Sequence, residues 1–156
     1  MERQMKHIGL IGLAGSGKDT AADALKKLYF QRVAFADQVK NIAFDFGWNG
    51  LKDERGRKLL QDLGMAGRAY KESIWIDYVH EETVGFGNHV FTDVRFQNEA
   101  DYIRGLGGII VRIVRPGIIA QNHESELKQA DIPADIEIVN DGTIEDLHNK
   151  IRNLIK

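Results

Sequence analysis

The stretch GLAGSGKDT, residues 12–20, sets three glycines and a lysine in an order suited to holding phosphate. Gly12, Gly15 and Gly17 let the backbone turn tightly enough for amide hydrogens to converge on phosphate oxygens. A helix that follows directs its positive dipole end at the same anion. Lys18 adds a mobile positive charge for β- and γ-phosphates, so the chemistry on offer is the binding of a nucleoside triphosphate. The usual form of such a loop ends Gly-Lys followed by Ser or Thr. Here Asp19 follows Lys18, and the hydroxyl arrives one residue later on Thr20, where it can still donate to a phosphate. The Asp19 carboxylate is a competent oxygen ligand for magnesium, directly or through water. It is equally a favourable acid in the first turn of a helix, and both readings stay open.

A second polar block, TDVRFQNEADYIRGLGG (92–108), puts Asp93 directly after an apolar run. An acid so placed can hold magnesium through water opposite a phosphate loop; the alternative is a helix-capping aspartate. Arg95 and Glu99 are four apart and either share a helix face within a site or form a surface pair. Arg55, Arg57, Lys58 and Arg68 cluster in one stretch, and Arg112 and Arg115 lie in and after another. Phosphoryl transfer between two nucleotides needs several cations, because donor and acceptor repel each other. Trp75 and Phe35 have the size to stack on a nucleobase, although aromatics at such spacing also serve as core. His123 has no partner at metal-ligand spacing, so no histidine metal site is expected.

The elements that must position these groups alternate along the chain. Apolar runs at 7–13, 32–36, 89–93, 108–114 and 135–139 read as five strands. Helices are expected at about 17–29, at 37–47 with Asp37 as its cap and Gly47 as its stop, at about 98–106, and at 143–155. The alternation implies parallel pairing: an α/β, three-layer αβα sandwich around a parallel five-stranded sheet. Between the second and third strands, residues 48–86 contain two amphipathic segments, 54–64 and 71–85, and no convincing strand. This helical insertion is read as a lobe over the ligand crevice, within one domain spanning 1–156; extra packing is the alternative.

The bulk properties narrow the function classes. A chain of 156 residues, 43% hydrophobic and 28% charged, is an ordinary globular composition with enough length for a real core. Charges interrupt every apolar run, so no membrane span is expected, and the N-terminus has an acid and too short an apolar run for a secretory signal. With no cysteine, thiolate metal sites are excluded and a reducing, cytoplasmic setting is the simplest fit. A net charge of −2 argues against broad nucleic-acid binding.

These stretches occur together in one order: GLAGSGKDT, FADQVK (35–40), RKLLQDLG (57–64), Trp75, TDVRFQNEAD (92–101), Arg115-Pro116-Gly117, His123-Glu124-Ser125-Glu126 and VNDGTIEDLHNKI (139–151). Over nearly the whole chain the sequence resembles the deoxynucleoside monophosphate kinases, a family best represented among bacteriophages. The resemblance implies a P-loop NTPase fold of the nucleoside monophosphate kinase type, and transfer of the γ-phosphoryl of ATP to a (deoxy)nucleoside monophosphate with Mg2+, for dNTP synthesis. It implies that Lys18, Asp19 and Thr20 serve the phosphates and metal; taken with the reading of the residues, ATP binding is expected from Gly12, Gly15, Ser16, Gly17, Lys18, Asp19, Thr20 and Arg115, with Lys18, Asp19 and Arg95 catalytic and Asp19 and Asp93 at the metal. It implies acceptor binding by Asp37, Arg57, Lys58, Arg68, Trp75, Arg95 and Glu99. The family pattern is more polar than LGMAGR before Arg68, and the chain is short for the family. Partners would be ATP and the monophosphate, without nucleic acid or membrane and with room for a homodimer, in the cytoplasm, or the host cytoplasm if phage-encoded. Two competing readings are a P-loop kinase with a hydroxyl acceptor, such as dephospho-coenzyme A, with Asp37 as base, and a nucleotide-binding switch without transfer activity.

Overall fold

The computed structural model describes residues 6–83, 85, 87–120 and 123–156. The N-terminal segment 1–5, read above against a secretory signal, lies outside the described residues. In chain order the elements are β1 (His7–Ile11), α1 (Lys18–Lys26), β2 (Phe30–Val33), α2 (Asp37–Asp45), α3 (Glu54–Tyr70) and α4 (Ile74–Thr83). They continue with β3 (Asn88–Phe91), α5 (Gln97–Gly105), β4 (Ile109–Val114), α6 (Glu124–Lys128), a single 3-10 turn at Gln129–Asp131, β5 (Ile136–Val139) and α7 (Ile144–Ile155). The chain divides into two compact units, one of 1–33 with 87–156 and one of Ala34–Phe86.

The first unit is built on a parallel five-stranded sheet in the order β2-β3-β1-β4-β5. β1 is central and buried along its whole length, as an apolar strand covered on both faces must be. Ile8 and Leu10 of β1 join Val90, Val111, Ile113 and Ile138 from the other strands in a core closed by Ala21 and Leu25 of α1 and Leu147 and Ile151 of α7. On the opposite face Gly9 leaves the space that Ile103 of α5 fills; a Cβ at Gly9 would come within 2.7 Å of the Ile103 side chain. Helix, sheet and helix make the three expected layers. α7 starts on a capping box, in which Asp146 N–H donates to the Thr143 hydroxyl and Thr143 N–H to the Asp146 carboxylate.

Several boundaries differ from the sequence expectation. β2 is Phe30–Val33, not 32–36, because the chain turns at Ala34, whose carbonyl accepts from Asp37 N–H. Asp37 is the first residue of α2 and not its cap; Ala36 holds that place without a side-chain bond. α6 and the turn after it had no periodic signal long enough to announce them.

Among the described residues the second unit holds three helices, α2, α3 and α4. α3 runs on to Tyr70, well past the expected end at 64, and starts on Asp53, whose carboxylate accepts from Gly56 N–H at 2.8 Å. The reason lies in α4. The Trp75 indole lies against Gly67, where a Cβ would be 2.3 Å from the ring, and its Nε1–H donates to the Gly64 carbonyl at 3.0 Å. The small residues of LGMAGR are therefore the seat of a tryptophan, and helical propensity is given up there for packing. Among the described residues no helix is long and apolar enough to cross a membrane.

Candidate functional site

The loop between β1 and α1 is shaped by glycine and held by distant partners. Gly17, at the cap of α1, has φ 109° and ψ 18°, a conformation that disfavours any side chain, and a Cβ there would lie 2.5 Å from Asn140 Nδ2. That amide donates to the Ser16 carbonyl at 2.9 Å, while Asn140 N–H extends the ladder to the Val114 carbonyl. His148 Nε2 lies 3.0 Å from the Thr20 carbonyl, which fixes that nitrogen as the protonated donor. Ala14 N–H donates to Glu126 Oε1 at 2.7 Å, and Arg115 reaches the Gly15 carbonyl at 3.4 Å. The Ser16 hydroxyl is buried without a hydrogen-bond partner. An orphaned hydroxyl inside a ring of glycines and helix-start amides suits an incoming phosphate oxygen.

Lys18 folds back on the loop, donating to the carbonyls of Gly12 (2.5 Å) and Leu13 (3.3 Å). Burial, and then the neighbouring positive charge of Arg95, push its pKa below the ordinary lysine value. Glu126, Asp19 and Asp93 oppose that shift. The sequence-predicted Lys18, Asp19, Asp93 and Arg95 are thus brought into one electrostatic neighbourhood. Asp19 is exposed in the first turn of α1, and Asp93 follows β3 half-buried. Among the described residues no three or more His, Cys, Asp or Glu side chains form a ready metal cage. Two carboxylates beside a phosphate loop nonetheless fit Mg2+, which keeps several waters and takes one or two carboxylates together with substrate phosphates.

Arg95 and Glu99 do not share a helix face. Arg95 precedes α5, and Glu99, 4% exposed, turns back so that Oε1 accepts from the backbone N–H of Arg95 (2.9 Å) and Phe96 (3.1 Å). It satisfies orphan donors at the helix start and fixes the backbone that carries Arg95. Arg112 is likewise committed, donating to the Gln129 side chain and to the carbonyls of Gln129 and Ile132.

In the second unit, Arg57 and Lys58 stand exposed near the start of α3, and Lys58 pairs with Asp62 at 2.6 Å. Arg68 is half-buried in the last turn of α3, and Asp37 half-buried at the start of α2. Trp75 is 6% exposed, with its indole N–H already used. A cleft of about 370 Å³ in this unit is lined by Phe46, Trp48, Asp53, Arg55 and Leu59 among others, and by none of the predicted acceptor residues. Sequence reasoning missed Asn140, Glu126 and His148 as supports of the loop. The only signal for them was their presence in the HESE and VNDGTIEDLHNKI stretches that carry the family resemblance.

The model of the family described as deoxynucleotide monophosphate kinase matches residues 56–151. A protein of Acanthamoeba polyphaga mimivirus that carries that name provisionally is 33% identical, over 92% of this chain and 93% of its own. The chain belongs to the deoxynucleotide monophosphate kinase family. The deoxynucleotide monophosphate kinase of Enterobacteria phage T4 is 29% identical over 69% of this chain, which spans 48% of the phage protein. The family match starts beyond the phosphate loop, so the loop itself rests on its sequence and geometry. In fold, a solved Thermus thermophilus protein matches with a TM-score of 0.59 at 16% identity, covering 98% of this chain and 97% of its own. A shikimate kinase from Acinetobacter baumannii matches at 0.50 and 17%, covering 97% and 93%. The resemblance noted from the sequence is borne out, and so is the P-loop kinase fold of this family member.

Proposed function

We propose that this kinase transfers the γ-phosphoryl group of ATP to a deoxynucleoside monophosphate, with Mg2+. The observation that carries the reading is the loop at residues 12–20, where the orphaned Ser16 hydroxyl, the Gly17 turn and Lys18 converge. In the reaction an oxygen of the acceptor phosphate attacks the γ-phosphorus, the bond to the β–γ bridging oxygen breaks, and ADP leaves with the electron pair. The acceptor, whose second pKa is about 6, is largely a dianion at neutral pH, so no general base is needed. What the protein supplies is placement and positive charge.

Lys18 leaves the Gly12 and Leu13 carbonyls to meet the donor phosphates, and the loop amides take up the charge that develops on them. Arg115 assists on the donor side. Arg95, held by Glu99, neutralises charge on the transferred group. Asp19 and Asp93 would hold Mg2+, which when bound draws charge from the phosphate oxygens. The roles of Asp37, Arg57, Lys58 and Arg68 at the acceptor are read from the family resemblance. Trp75 serves the acceptor by fixing α4 on α3, since its polar atom is already engaged.

The test is a panel of the common monophosphates, ribo- and deoxyribo-, each incubated with ATP and Mg2+. ADP and a deoxynucleoside diphosphate should form in equal amounts for at least one acceptor. Turnover of dephospho-coenzyme A with none of the monophosphates would overturn the reading, as would slow ATP hydrolysis that no monophosphate stimulates.

A further inference from the structure

The buried carboxylate of Glu126 is not accounted for by the reaction above. It is carried by α6, five residues long, and is 7% exposed. Burying a carboxylate is costly unless hydrogen bonds and opposite charge compensate. Both compensations come from the phosphate loop. Oε1 accepts the N–H of Ala14 at 2.7 Å, a contact that spans 112 residues of sequence, and the charge favours the ammonium form of Lys18. Lys18 rests on the carbonyls of Gly12 and Leu13, the two residues just before Ala14. One carboxylate therefore holds the leading limb of the loop through its backbone and balances the lysine parked on that limb.

We propose that Glu126 is a positioning residue of the phosphate loop, pinning the Leu13–Gly15 limb through the Ala14 amide so that ATP meets a loop already shaped. A hydrogen bond between an ionised acceptor and a backbone N–H is among the stronger kinds, and it restrains the limb in the absence of ligand. Asn140 does the corresponding service on the trailing limb, at the Ser16 carbonyl. A loop held at both limbs spends little of its binding energy on ordering itself. The inference rests on reading the loop as an ATP site.

The experiment compares Glu126→Ala and Glu126→Gln with the unaltered protein. ATP affinity is measured by titration without acceptor, alongside steady-state constants for ATP and the monophosphate and a thermal melt. Glu126→Ala should weaken ATP binding and raise the KM for ATP about tenfold, the loss expected for one hydrogen bond to a charged group. The KM for the monophosphate should not change. Glu126→Gln keeps an acceptor oxygen and should recover most of the loss. Unchanged ATP affinity in Glu126→Ala overturns the proposal, as does a Gln variant as weak as the Ala variant. If the alanine protein does not fold, Glu126→Asp carries the test, because it withdraws the oxygen from Ala14 while keeping the charge. Weakened ATP binding is then expected, and undiminished binding overturns the proposal. A wild-type protein that binds ATP but transfers nothing would defeat the kinase reading and leave this one to the variants' affinities.

Discussion

The two units secure their polar groups in different ways. In the first, the loop is held from far along the chain: Ala14 by Glu126, Ser16 by Asn140, Thr20 by His148. In the second, contacts are short in sequence: Asp53 caps its own helix, Lys58 pairs with Asp62, and Trp75 reaches back to Gly64. Long-range bonds fix a loop only when the whole unit is folded, so the geometry of the phosphate site is bound up with global stability. Where the local contacts of α3 are exposed, single substitutions cost little, and a pair such as Lys58–Asp62 contributes well under about 1 kcal/mol.

The largest expected effect lies in the first unit. Lys18→Ala should lower kcat for phosphoryl transfer by about 10²–10³-fold, the usual cost of losing one preorganised charge or donor at a developing anion. The melting curve should stay close to that of the wild type, since the hydrogen bonds Lys18 donates end on carbonyls of its own loop and Glu126 keeps its bond from Ala14 N–H. Near-normal turnover would remove the loop from the mechanism and with it the contrast between the units.

Next in size is a substitution in the second unit. Gly67→Ala forces a methyl into the Trp75 ring and should cost about 1–3 kcal/mol, the range for overpacking a filled space. Urea unfolding followed by tryptophan emission would show it. A variant as stable as wild type would mean that the indole has somewhere else to go, and that α3 and α4 are not locked at this point.

The smallest effect sharpens the comparison from the far end of the sheet. His7 and His89 sit side by side in register on β1 and β3, rings nearly parallel with centroids 5.2 Å apart and Nδ1 atoms 3.3 Å apart. Burial lowers both pKa values, and the charge of His7 lowers that of His89 further. The folded state therefore keeps both rings neutral at pH values where the unfolded chain has begun to bind protons. Below the ordinary histidine value of about 6.5 the unfolded state holds more protons, so stability falls as pH drops and is fully present above it. Urea midpoints measured at neutral and mildly acidic pH should show this decline, and His7→Phe should flatten it. An equal slope in that variant would assign the decline to other groups.

These contacts also divide what the sequence could reveal from what it could not. The phosphate loop was legible because its parts are contiguous: glycines, lysine and helix start lie within nine residues. The parallel sheet was legible because apolar runs alternate with amphipathic ones. The ends of β2 and α3 were not. The first is set by the turn at Ala34, and the second by a tryptophan that sits in α4 and is seated on the glycines of α3. Glu99 was read by its helical spacing from Arg95, whereas its carboxylate turns back to the helix start, which spacing cannot express. Glu126 and Asn140 lie more than a hundred residues from the loop they brace. No periodicity connects them to it; only the folded sheet does.

The seat of Trp75 has one more consequence. The chain has two tryptophans, Trp48 and Trp75, and both fall within Ala34–Phe86. Intrinsic emission excited at the red edge of the indole band therefore reports on the second unit alone. Trp75 supplies a sheltered signal and Trp48 a half-exposed one at the cleft. The sequence thus carries its own unlabelled optical probe, sensitive to whatever alters the surroundings of α3 and α4.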